Sequence, residues 1–200
     1  MAASRRYFIT RPDQLAAIVS PLRQEILDVM ARLGVASLAD IATTLGRPAD
    51  GLYYHVRVLL RVGLLRPAGS RTTGARTEAL VRAAASEFAL RYAGSPPKEA
   101  RAATAIVGSM LRLGTRDFRR GLLGPGNVLD GPRREVWALR STGWLSPREV
   151  AGVNRRIRAL NQAVRSTSQG KGKRLYAVTI LLTPLDRRPR RRPASARSAT

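Results

Sequence analysis

Over the first third of the chain, apolar residues recur at spacings of three and four and are interrupted at short intervals by glycine and proline, which predicts a series of short amphipathic helices. Asp13 to Val19 reads as the first. Ser20 and Pro21 supply the cap and first position of the second, whose inner face is Leu22, Ile26, Val29, Met30 and Leu33, with Gly34 as its stop. A third follows from Ser37, with Asp40 in the capping-box position and Leu38, Ile41, Ala42 and Leu45 as the apolar stripe. Gly46-Arg47-Pro48 breaks it, and Pro48 is expected to open a fourth helix that runs to Gly63 on Leu52, Val56, Leu59 and Leu60. Ala49, Asp50, Tyr53, Tyr54 and Arg57 are left on the outer face of this fourth helix.

Beyond Gly63 the period shortens. Leu64-Leu65-Arg66 and Thr77 to Val81 read as two strands around a basic, glycine-containing loop from Pro67 to Arg76. Two helices joined by a tight turn and followed by such a hairpin form a winged helix-turn-helix pattern. In that arrangement the small, aromatic and cationic groups of the fourth helix suit a DNA major groove, and Arg71 and Arg76 stand where a wing meets backbone or minor groove. From about Ser20 to Val81 the chain resembles the winged helix-turn-helix of ArsR-like bacterial repressors. Tyr53-Tyr54-His55-Val56-Arg57-Val58-Leu59 through Val62-Gly63-Leu64-Leu65 is similar to the family's "H-L-x-x-L…G-L-V" stretch, and Gly74 to Leu80 to its return from wing to strand. The resemblance implies double-stranded DNA as the partner, a homodimer, and a dimerisation role for the helix that follows the wing.

Each of these residues also has a plainer reading. His55, the sole histidine, sits one position from the apolar stripe and is expected to be a packed, hydrogen-bonded helix residue rather than a ligand or base. Tyr53 and Tyr54 can pack against the wing or touch DNA. Arg57, Arg61, Arg71 and Arg76 can be solvated charges, a reading that weakens when they share one helix and one hairpin.

Ala93-Gly94-Ser95-Pro96-Pro97 marks the expected boundary between a winged helix-turn-helix domain over 1–93 and a helical, α+β region over 98–186. There Ala100 to Phe118 predicts a long helix with Ala103, Ile106, Val107, Met110, Leu111, Leu113 and Gly114 on a broad apolar face. It serves either a dimer or its own domain's core. Gly121 to Gly131 reads as loop, and a short helix is expected to carry Trp137 and Leu139 toward Trp144. Ser146-Pro147-Arg148-Glu149 is a capping box ahead of Val150, Val153, Ile157, Leu160 and Val164 at helical spacing, with Arg155, Arg156, Arg158 and Arg165 on the other side. Gln169 to Lys173 is a turn, and Leu175 to Leu182 has the β-branched content of a buried strand. Trp137, Trp144 and Tyr176 are expected in a hydrophobic core or, alternatively, around a pocket for a small organic effector between the Val150–Val164 helix, the Leu175–Leu182 strand and the tryptophans. Residues 187–200 lack large apolar side chains and read as a disordered basic tail, a non-specific DNA clamp or solvated charge.

The formal net charge of +23 over 200 residues reinforces a polyanionic partner. The excess rises along the chain: 13 Lys+Arg against 7 Asp+Glu over 1–93, 17 against 6 over 94–186, and 6 against none thereafter. Arginine far outnumbers lysine and alanine is abundant, the pattern of GC-rich coding, so basicity supports nucleic acid binding without establishing it. With 44% apolar residues the chain can build a core. The arginines of the opening MAASRRYFIT are weakly transit-like, but Asp13 to Ile18 runs straight into a domain-like helix. No signal peptide or spanning run is seen, so a cytoplasmic, nucleoid-associated location is expected. Zero cysteines and one histidine leave no soft-metal ligand set, and no cofactor or metal is expected. Nor is there a Ser/His/Asp set, a P-loop or a phosphate-cradling glycine loop, so an enzyme is not expected. The expectation is a mainly α chain with a small β-hairpin: a sequence-specific, dimeric transcriptional regulator, a repressor by resemblance and not metal-sensing. The alternative is a sequence-non-specific, nucleoid- or RNA-associated basic protein using the winged helix as a scaffold.

Overall fold

The computed structural model describes residues 6–90 and 97–185. The first part begins with β1 (Arg6–Ile9), α1 (Pro12–Ile18), α2 (Pro21–Leu33), β2 (Val35–Ser37), α3 (Leu38–Leu45) and α4 (Asp50–Arg61). It closes with β3 (Leu65–Thr73), β4 (Arg76–Ala83) and β5 (Glu87–Leu90), and α5 (Pro97–Leu123) and α6 (Pro147–Arg165) follow. β2, β4 and β3 form an antiparallel sheet in that order, while β1 pairs with β5 in parallel, Arg6 opposite Glu87 through Ile9 opposite Leu90.

The core lies where α2, α3 and α4 turn their stripes together: Ile26, Met30, Ile41, Leu52 and Leu59 are at most 1% exposed, joined by Leu64 and Leu65 from the entry to β3. Burial of each such side chain contributes roughly 1.5–3 kcal/mol. Gln14 on α1 is the largest of the buried polar side chains among the described residues, and it is satisfied. Its Nε2 donates to the Val62 carbonyl at 2.9 Å and to the Tyr7 hydroxyl at 2.9 Å, tying β1 and α1 to the end of α4.

The capping box expected at Ser37 is present. The Asp40 amide donates to Ser37 Oγ at 3.2 Å and the Ser37 amide to Asp40 Oδ2 at 2.9 Å. α4, however, begins at Asp50, not at Pro48. Gly46 is left-handed at φ 59°, ending α3, and residues 46–48 are consumed in turning the chain before Ala49 caps α4. The hairpin also differs from expectation. The stretch read as a loop is strand out to Thr73, with Thr73 opposite Arg76 across Gly74-Ala75. Pro67 is tolerated because β3 is an edge strand, and a bulge between Pro67 and Ser70 uses Gly69 at φ 89°.

The second half departs further. The boundary cluster falls largely on residues 91–96, outside the described residues, as does the basic tail 187–200, and Pro97 already belongs to α5. α5 outruns its expected limits and, through Ile106, enters the core of the first part, where Gln24 Nε2 donates to the Ile106 carbonyl at 3.1 Å. Leu111, expected on its apolar face, is 44% exposed. The expected short helix near Trp137 is absent: residues 135–146 form no regular secondary structure. Arg134 both stacks 4.4 Å from the Trp137 ring and donates to the Val136 carbonyl at 2.8 Å, local contacts made outside any helix. Trp137 and Trp144 are exposed, so the hydrophobic core expected around them does not form. Leu175–Leu182, expected as a buried strand, has no regular secondary structure, pairs with no strand among the described residues and is not buried. α6 has its capping box, Ser146 with Glu149, yet buries none of its residues.

Candidate nucleic-acid interface

α4 owes its orientation to period alone. Leu52, Val56 and Leu59 fill one side, so the residues between them are driven outward: Tyr53 and Tyr54 are 56% and 64% exposed, and Arg57 and Arg61 are exposed beside them. The Arg57 guanidinium lies 5.6 Å from the centre of the Tyr53 ring, a cation–π contact that holds the charge on the outer face while leaving its donors outward. Asp50 is exposed in the first turn, where a carboxylate favours the helix dipole. Ala49, the cap, is half-buried against the core and contributes no side-chain hydrogen bond, so the first amides of α4 are not capped by it.

His55 is half-buried with its ring edge-on to Tyr54, centroids 5.5 Å apart. Burial first, and the charge of Arg23 second, pull its pKa below the ordinary value, so the ring is neutral at pH 7. It packs as expected, but its buried Nδ1 has no hydrogen-bond partner among the described residues, contrary to the expectation that it would be hydrogen-bonded.

The two wing arginines part company. Arg76 is exposed at the hairpin turn. Arg71 faces back onto the body: its Nη2 donates to Glu78 Oε2 at 2.9 Å, to both Asp40 oxygens at 3.1 Å and to Ser37 Oγ at 3.4 Å. It clamps the wing to the first turn of α3, with its charge already matched by two carboxylates. The Ser37 amide and then Arg71 hold the Asp40 carboxyl below its usual range, and Arg71 does the same for Glu78. Both folded values being depressed, this clamp stabilises the fold above the ordinary carboxylate range of about pH 4 and loses its contribution as pH falls below it. The urea midpoint therefore drops between pH 6 and pH 3, and Arg71→Gln flattens that drop; equal acid sensitivity in the two proteins would contradict the assignment.

A second clamp joins the turn of the helix pair to α5. Glu25 on α2 receives both Nη atoms of Arg116 at 3.0 and 2.5 Å and Arg47 Nη2 at 3.3 Å, and the Arg116 pKa is raised chiefly by that pairing. Neither clamp is apparent from residue types, although Arg71 opposite Glu78 follows from counting back from a two-residue turn at Gly74-Ala75.

A concavity in the second half shares two of the three walls expected for an effector pocket, Trp137 and residues 175–179. Of about 580 Å³, it lies between α5, residues 135–139 and residues 174–179, and neither α6 nor Trp144 lines it. Among the described residues no group of histidines and carboxylates is placed to hold a metal, and no helix is long and apolar enough to cross a membrane.

Residues 18–68 match the model of a helix-turn-helix domain family. The match runs from the end of α1 into β3, covering the buried stripes and the outward face of α4 and stopping inside the wing. No curated protein matches the chain.

Proposed function

We propose that the protein is a sequence-specific DNA-binding transcriptional regulator of ArsR-like type, acting as a homodimer that lays α4 of each protomer in the major groove. The observation that carries this is the pairing of a fully buried stripe on α4 with an outer face of Tyr53, Tyr54 and Arg57 inside the segment that matches the helix-turn-helix model. Arg57 offers bidentate donors to a guanine edge, the tyrosines a hydroxyl and an apolar surface, and Asp50 an acceptor for a cytosine amine. Arg76 reaches toward phosphate from the tip of the wing, whereas Arg71 acts indirectly by fixing the wing's angle. The chemistry is binding, with no catalytic step.

Selection of bound sites from a random DNA pool tests the reading. The expected product is a two-fold palindrome with half-sites about one helical turn apart, bound at moderate salt. The net charge of +23 favours one competitor, a sequence-non-specific nucleic-acid binder. Uniform recovery of sequences, with binding lost near physiological salt, would establish that competitor instead.

A further inference from the structure

The concavity beside α5 measures about 580 Å³, within the roughly 300–1,000 Å³ of small-molecule sites. Three aromatic rings line it, Phe118 from α5 with Trp137 and Tyr176, and each is more than a third exposed, so their surface is not spent on packing. The charges of the lining select a ligand. Arg174 is the one cation among the described lining residues, and it is committed: Nη1 donates to the Glu135 oxygens at 3.2 and 3.3 Å and Nη2 to Asn127 Oδ1 at 2.7 Å. Glu135 is committed in turn, accepting from Arg174, from the Tyr176 hydroxyl and from the Val128 amide at 2.9 Å. Asp117 is not. Its Oδ1 accepts Nε and Nη2 of the adjacent Arg116 at 2.9 and 2.6 Å, whereas Oδ2 accepts nothing among the described residues, and the side chain is 39% exposed. An open carboxylate oxygen beside aromatic faces complements a cation that carries a ring, and offers an anion no free charge.

Asp117 is also one end of a chain of ion pairs that leads to the outward-facing helix α4. Arg116 Nη2 lies 2.6 Å from Asp117 and 2.5 Å from Glu25, so one guanidinium is divided between a carboxylate of the concavity and a carboxylate of α2. Glu25 is divided in the same way between Arg116 and Arg47 Nη2, the latter at 3.3 Å. Arg47 stands in the turn between α3 and α4, two residues before the Ala49 cap. Its buried Nε has no hydrogen-bond partner among the described residues, which makes it the least secured of the four groups. Glu25 and Arg116 are 15% and 27% exposed, so solvent screens this chain less than it screens a surface pair.

We infer that the concavity binds a small protonated aromatic amine, and that its occupancy is passed through Asp117, Arg116 and Glu25 to Arg47 and the start of α4. The ligand's ammonium takes Asp117, and the ring lies against Trp137, Phe118 and Tyr176. Arg116, having lost one of its two carboxylates, then rests its charge on Glu25 alone. The pull of Glu25 on Arg47 weakens, and the turn that sets the first residues of α4 loosens. The ligand favours the state in which Asp117 is released from Arg116, which is the differential affinity that coupling between two sites requires. This rests on the DNA-reading role proposed for α4 and names the signal that regulates it.

The test uses the full chain and three probes that share one ring system and differ in charge: naphthylmethylamine, naphthylmethanol and naphthoate. In titration calorimetry at pH 7 the amine binds roughly 10-fold more tightly than the alcohol, and the carboxylate binds most weakly. Asp117→Asn abolishes the preference for the amine, while Arg116→Gln, which removes the competitor for that carboxylate, tightens the amine about 3-fold. Hydrogen exchange follows the signal without DNA: saturating amine speeds exchange of the amides in residues 46–52 of the wild type and has no further effect in Glu25→Gln. On the selected duplex the amine lowers wild-type affinity about 5-fold or more and leaves that of Glu25→Gln unchanged. Three wild-type results, none needing a variant to fold, would overturn the inference: no amine binding up to about 1 mM, equal or stronger binding of the neutral or anionic probe, or amine binding that leaves exchange at 46–52 or affinity for the selected duplex unchanged. Amine binding with the expected exchange, in a protein that selects no DNA sequence, would overturn the proposed function alone.

Discussion

Arg57→Ala and Tyr54→Ala each weaken binding to the selected DNA site by about 1–3 kcal/mol, roughly 5- to 150-fold, while the thermal midpoint stays within a few degrees of wild type. Neither side chain contributes to the core: Tyr54 is 64% exposed and Arg57 projects from the same outer face. The loss is therefore a property of the bound state. It also discriminates between partners, because removing a base-reading group costs affinity for the selected site more than for random DNA, whereas removing a phosphate contact costs both alike. Arg76→Ala is the matched control, lowering both affinities and reducing the slope of log K against log salt by about one. Fluorescence anisotropy with selected and scrambled duplexes measures all three, and unchanged affinity for both α4 variants would remove that helix as the reader.

Leu59→Ala has the larger effect on stability, about 2–5 kcal/mol, because Leu59 is fully buried and the cavity left behind is walled by helices that cannot collapse independently. Against a total stability of about 5–15 kcal/mol for a domain, this is enough to raise the unfolded fraction by a factor of 30 or more. Chemical denaturation with circular dichroism reads it directly. DNA affinity corrected for the folded fraction should be unchanged, since Leu59 faces away from the outer surface of α4. A variant that stayed as stable as wild type would mean that α4 does not pack through this stripe.

What was legible in the sequence and what was not divides along a physical line. Local signals sufficed where the deciding interactions are local: the Ser37–Asp40 and Ser146–Glu149 capping boxes, the glycine and proline stops, and the stripes of α2, α3 and α4 all depend on residues within a turn or two. The pairing of β1 with β5 was not readable, because RYFI is four residues long and its partner lies far along the chain. Pro48 suggested a helix start by its fixed φ, but the left-handed Gly46 needed the next residues to complete the turn. In the second half, the composition of Leu175–Leu182 identified an apolar segment, and the assumption that apolar means buried then failed, because burial depends on what packs over a segment and not on its own composition. For the interface, the outward placement of Tyr53, Tyr54 and Arg57 follows from helical period, whereas the engagement of Arg71 with Asp40 required the register of the hairpin.

The parallel pairing of β1 with β5 sets an order on synthesis. Ile9 is 3% exposed only once residues near Leu90 have been made, and Arg6 finds Glu87, its partner at 2.8 Å, across 81 positions of chain (87 − 6). At a ribosomal pace of about 5–20 residues per second, some 4–16 s separate the emergence of the two strands. During that interval α2, α3 and α4 have their local signals in hand, while the Arg6–Ile9 strand must stay soluble beside the nascent bundle without its edge partner. Arg6 and Arg11, which flank its apolar centre, are the charges available to keep it so. The earliest of the described strands in chain order is thus among the last to be paired.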